Sequence, residues 1–214
     1  MKNIIKKFPQ TVAVLAAIAA IFLFFGSREG TVPPPQKSSS AGGTDLNGQW
    51  SLKFWPQPDT GALRTLGEAK NAQEAKTIKA QVPGNVELDL FRAGLVPNPE
   101  LGDNSYKLRE YEGYQWLFSR EFASPKLESG ERAILRLDGI DTFADIFVNG
   151  KKVGETSNML IPHSFDITDF LSKGGKNNLD ILIRSAIMES NGRKIGAISS
   201  AYDSEGIRKA PHMY

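Results

Sequence analysis

The chain has 214 residues and 23.5 kDa, with 40% hydrophobic and 23% charged residues; this excludes a wholly disordered or collagen-like polymer and fits one domain with attachments or two small ones. With no cysteine and two histidines (His163 and His212), disulfides, Cys-ligated zinc and a thiol nucleophile are excluded, and little is left for a histidine relay. The net charge of +2 is unevenly spread: residues 1–44 hold five basic residues against one acid, which leaves 21 basic and 23 acidic residues in a mildly acidic body, so a nucleic-acid footprint is not supported.

The first element is a leader. Lys2, Lys6 and Lys7 precede Val12–Phe25, fourteen residues without a polar side chain, which is the pattern of a basic n-region and an apolar h-region. The nineteen residues from Phe8 to Gly26, at about 1.5 Å each in a helix, match a hydrocarbon core of about 30 Å. Bulky Phe24 and Phe25 stand where a signal peptidase wants small residues, so a cleaved signal and an uncleaved anchor both stay open. Either sends the body outward, to a periplasmic or extracellular location. Residues 27–44, rich in Pro, Ser and Gly, read as a flexible tether, and the body begins at residue 45.

The body predicts an all-β fold. Gln49–Phe54 alternates, with Trp50, Leu52 and Phe54 on one face. Gly61–Ala80 is polar and weakly patterned, and is expected to be a surface excursion. Val86–Ala93 predicts one or two helical turns with Val86, Leu90 and Ala93 inward, ended by Gly94. Leu95–Asn104, with Pro97, Pro99 and Gly102, predicts irregular backbone. Strands follow at Trp116–Phe122, Ala133–Leu137 and Phe143–Val148. Asn149-Gly150 then predicts a type I′ turn, and Lys152–Thr156 the returning strand. Ser164–Ile167 and Leu179–Ser185 complete the series. Many short strands with little helix make a β-sandwich of jelly-roll type.

Patterns that carry chemistry are scarce. Gly150–Thr156 has a superficial P-loop look, but its spacing is short and Glu155 stands in the lysine's place; there is no G-x-S-x-G elbow, H-E-x-x-H or dinucleotide fingerprint. His163 and Ser164 are adjacent on a strand, so they face opposite ways and make a poor triad. Asp138, Asp141 and Asp145 offer oxygen ligands to calcium, yet turn and strand-edge roles explain them more simply. No pair of carboxylates stands out for glycoside cleavage. No metal, cofactor or catalytic residue is assigned. Trp50 and Trp116 lie on apolar faces; Trp55, beside Pro56, is the tryptophan whose exposure decides whether it can stack on a ligand.

Three blocks carry a resemblance. Val82–Pro99 with Gly102-Asp103-Asn104, Arg136–Gly150 and Asn158–Thr168 together resemble the N-terminal domain of glycoside hydrolase family 2, most closely its β-mannosidase branch. The likeness runs roughly from Leu46 to Tyr214. It implies a galactose-binding-domain-like jelly-roll, with carbohydrate as ligand and immunoglobulin-like and catalytic barrel domains of a longer enzyme as partners. It implies that Asn104, beside Asp103, hydrogen-bonds the sugar at the cleavage point; the alternative is an Asn that shapes a loop through an Asx turn. Arg208–Tyr214 is similar to the segment leading into a Gly-Trp-Asp-Trp-Gly-Pro motif, which makes His212 a further sugar-contact candidate. The expected function is a non-catalytic sugar-binding domain of an exported family 2 exo-β-glycosidase, inactive alone as a truncated fragment. The alternative is a stand-alone membrane-tethered carbohydrate-binding or interaction module.

Overall fold

The structure, a computed structural model, describes residues 43–190 and, for the backbone alone, residues 7–8 and 11–15. In chain order the strands are β1 (Lys7–Phe8), β2 (Thr11–Leu15), β3 (Thr44–Asp45), β4 (Gly48–Pro56), β5 (Lys76–Val82), β6 (Tyr114–Ala123), β7 (Ala133–Leu137), β8 (Phe143–Val148), β9 (Lys151–Thr156), β10 (His163–Asp166) and β11 (Lys176–Arg184). Short helices α1 (Leu66–Lys70), α2 (Val86–Arg92), α3 (Asn104–Lys107) and α4 (Ala186–Ser190) interrupt them.

Two sheets face each other. One is six-stranded and antiparallel in the order β5-β4-β6-β11-β8-β9. The other runs β1-β2-β7-β10, with β3 also paired to β2. The alternation in the sequence builds the core between them. Trp50, Leu52 and Phe54 of β4, Trp116 and Phe118 of β6, and Ile181 and Ile183 of β11 all project inward to meet Leu135 and Leu137 of β7. The aromatic rings interlock, with Phe54 stacked on Trp116 at 5.2 Å between centroids. This is the expected β-sandwich.

Several expectations are corrected. Gly61–Ala80 is not only a surface excursion: it contains α1, whose Thr65 and Glu68 form a reciprocal capping box, and the first five residues of the edge strand β5. The alternation of Ile78, Ala80 and Val82 is present in the sequence but weak in hydrophobicity. In α2, Leu90 is buried and Val86 packs against the core, but Ala93 is exposed; Asp89 takes the inward place instead. Gly94 ends the helix at φ +72°.

The hairpin between β8 and β9 forms as expected. Asn149 (φ +49°) and Gly150 (φ +81°) both take positive φ, as a type I′ turn requires. The Asn149 amide also donates to the Phe170 carbonyl at 2.8 Å and to Asn177 Oδ1 at 2.7 Å, tying the turn to β11 and the segment before it.

The leader falls largely outside these residues. Val12–Leu15, the start of the apolar run, lies in β2, whose backbone pairs in parallel with β7. Residues 16–42, with the rest of the run and the tether up to residue 42, lie outside the described residues, while Thr44, the last residue assigned to the tether, belongs to β3. Among the described residues no helix is long and apolar enough to cross a membrane.

Candidate functional site

The loop from α2 to β6 carries the sequence-predicted sugar contacts. Its path is set by prolines and by an asparagine-built turn: the Asn98 side chain accepts from the Glu100 N–H at 3.0 Å. Asn104 opens α3. Its Nδ2 donates to the Asn98 carbonyl at 3.0 Å and its Oδ1 accepts from Lys107 Nζ at 2.9 Å. Both ends of the amide are therefore engaged within the loop, and Asn104 is half-buried. Asp103 precedes it at the N-cap position, exposed and making no side-chain capping bond. The structure thus brings Asp103 and Asn104 together; His212 lies outside the described residues.

The same turn presents a residue that sequence reasoning missed. Tyr106, two residues after Asn104, is 68% exposed, and Leu101 beside the turn is 62% exposed. An aromatic ring open to solvent beside a polar loop offers a flat apolar face to a ligand. The signal was present as a lone aromatic in a polar stretch, but such a residue reads equally well as core.

The tryptophans are elsewhere. Trp50 and Trp116 are in the core, and Trp50 Nε1 donates to the Leu46 carbonyl at 2.9 Å. Trp55 is 2% exposed, enclosed by Leu66 and Ala69 of α1 and by Leu117, Phe147 and Leu182 on the outer side of the six-stranded sheet. None of the three can stack on a ligand.

The remaining polar motifs are structural. His163 Nε2 bonds the Asn158 carbonyl at 2.7 Å, while Ser164 is exposed on the opposite side of β10. Asp138 pairs with Arg136 at 2.9 Å. Asp145, fully buried, pairs with Arg184 and, at 2.6 Å, with Lys152. The bond to Asp145, helped by Glu155, raises the Lys152 ammonium above its ordinary range and so keeps it charged. Among the described residues no cluster of three or more His, Cys, Asp or Glu is placed to hold a metal ion.

Comparison with known proteins decides the family. Residues 68–214 match the family described as glycosyl hydrolase 2 galactose-binding domain-like. The chain belongs to that family. Its relatives place this glycosyl hydrolase 2 domain with the β-mannosidase branch: it is 38% identical over 109 residues to beta-mannosidase B of Thermothelomyces thermophilus, covering 51% of this chain and 13% of that protein. With the mouse beta-mannosidase it shares 34% over 118 residues, 55% of this chain and 13% of the relative. The crystal structure of beta-D-mannosidase from Dictyoglomus thermophilum superposes with a TM-score of 0.55 and 32% identity, over 71% of this chain and 17% of that one. The glycosyl hydrolase 2 domain described here therefore spans only a small part of the length of the proteins it matches.

Proposed function

We propose that this chain is the non-catalytic, sugar-binding part of a β-mannosidase-like family 2 glycoside hydrolase, with β-mannosides or related glycans as ligand. The observation that carries this is the family match over residues 68–214, combined with likeness to β-mannosidases over only 13% of their length. Its sugar contacts are the turn of Asp103, Asn104 and the Tyr106 ring, joined by His212. Immunoglobulin-like and barrel domains carrying the two carboxylates of retaining hydrolysis are its partners in the longer enzyme.

The chain by itself therefore gives no turnover of an aryl β-mannoside, whereas methyl β-D-mannopyranoside shifts the amide resonances of Asp103 and Asn104 in the full chain. Asn104→Ala removes those shifts. Turnover by purified chain, or an undisturbed 98–107 loop at high sugar concentration, overturns the proposal. Export through residues 1–26 is part of the same reading, supported by the basic residues ahead of the apolar run. It competes with the pairing of Val12–Leu15 along β7. A reporter active only outside the cytoplasm, fused after residue 45, separates the two: silence of the reporter removes the export reading.

A further inference from the structure

A polar groove lies along the β5 edge of the six-stranded sheet. It has a volume of about 590 Å³, within the range of small-ligand sites, and lies between edge strand β5 and helix α2. Gln49, Lys79, Gln81, Asp89 and Arg92 supply its polar lining, and Ile78 its apolar part. Register explains the grouping. Gln49 stands opposite Gln81 on β4 and β5, so the two amides share a face, and α2 carries Asp89 and Arg92 one turn apart beside them.

Asp89 is the unusual member. It is 1% exposed, and only one of its carboxylate oxygens is engaged: Oδ1 accepts from the Gln81 N–H at 3.1 Å and from Arg92 at 2.9 Å. Oδ2 is buried with no hydrogen-bond partner. A buried acceptor left without a donor is costly, and this one belongs to a residue that lines the groove. Burial pushes the Asp89 carboxyl above the ordinary carboxylate range, in spite of the Gln81 N–H and Arg92.

The charges restrict what fits. An anion brings no donor for Oδ2 and meets the Asp89 carboxylate, while a cation meets Lys79 and Arg92. A neutral ligand with a donor and an acceptor on adjacent atoms meets neither difficulty. We propose that this groove binds a neutral sugar through a vicinal diol, one hydroxyl donating to Asp89 Oδ2 and its neighbour accepting from the Arg92 guanidinium. Access to Oδ2 requires the Arg92 side chain, 54% exposed and bonded to Oδ1, to move aside, and its fork has donors to spare beyond the one given to Asp89. Gln49 and Gln81 bond further hydroxyls. The site is separate from the Asn104 turn and does not depend on it.

The test is titration of the full chain with methyl β-D-mannopyranoside, followed by amide and guanidinium NMR resonances. The Gln81 amide and the Arg92 side chain shift together. Asp89→Asn keeps the acceptor for the Gln81 N–H but replaces Oδ2 with a donor, and weakens this binding about tenfold, the order expected for loss of one charge-assisted hydrogen bond. Arg92→Gln, which keeps an amide donor beside Asp89 and is read only where its circular dichroism matches the parent's, gives a similar loss. Asn104→Ala leaves the groove shifts in place, so failure of the loop reading is seen separately. Shifts confined to residues 98–107, or equal binding by the folded Asp89→Asn and Arg92→Gln variants, overturn the groove.

Discussion

The two faces of the six-stranded sheet are built on opposite principles. The inner face is an apolar mosaic in which Trp50, Leu52, Phe54, Phe118, Ile181 and Ile183 interdigitate with the second sheet. The outer face alternates apolar patches with enclosed charge. Trp55, Leu117, Phe147 and Leu182 lie under α1, but Asp180, Asp145 and Arg184 share that surface and are buried too. Each charge there is met: Ser119 and Asn178 donate to Asp180, which Lys70 also approaches at 3.4 Å, and Arg184 joins Asp145 to Glu189. The inner face draws its stability from area removed from water. The outer face rests on matched partners, and fails when one is taken away.

That contrast fixes the order of mutational effects. Arg184→Ala leaves Asp145 buried with only Lys152, and costs about 3–5 kcal/mol in urea unfolding. Ile181→Ala opens a cavity on the inner face and costs about 2–5 kcal/mol by the same measurement. Gly150→Val, which forces a β-branched residue to positive φ at the hairpin, costs about 1–3 kcal/mol; a melting temperature equal to the parent's contradicts the turn described here. The double replacement Asp145→Leu with Arg184→Met removes both charges at once and stays within about 1 kcal/mol of the parent. A double variant as unstable as Arg184→Ala alone shows that the outer face needs its charge as such.

The smallest effect is on pH dependence. Because burial raises the Asp89 carboxyl in the folded state, the folded chain holds that proton more tightly than the unfolded one. Its contribution is therefore greatest at acid pH and declines as pH rises from the ordinary carboxylate value through the raised one. Asp89→Asn removes this slope, which is read as a flatter difference in melting temperature between pH 4 and pH 7, a window set by ordinary carboxylate titration at about 3.9.

The inner face could be read directly from sequence. Gln49–Phe54, Ala133–Leu137 and Phe143–Val148 announce themselves by period and by β-branched or aromatic content, and Asn149-Gly150 by turn chemistry. β5 was hidden because Ala80 and Ile78 alternate with lysine and threonine at low hydrophobicity. The outer face could not be read, since Asp180 and Arg184 within an apolar strand look like solvent-facing residues until their partners, far along the chain, are known. The same holds for the candidate site. Asp103 and Asn104 are candidates through the family resemblance of their block, whereas exposure alone distinguishes Tyr106, and Asp89 shows its unusual state only when β5 lies beside α2.

The strand order also bears on how the chain comes off a ribosome. β11 lies at the centre of the large sheet, between β6 and β8, although it is the last strand of the described residues. The Ser119–Asp180 contact across β6 and β11 spans 61 residues, which at about 5–20 residues per second takes roughly 3–12 s to synthesise. Before β11 is made, β4, β5 and β6 can pair with one another and β8 can pair with β9, but one flank of β6 and one flank of β8 wait for a neighbour. A nascent chain stalled before Lys176 therefore presents two incomplete half-sheets with open edges, a form suited to capture by chaperones or to aggregation, and completion of β11 is the event that closes both at once.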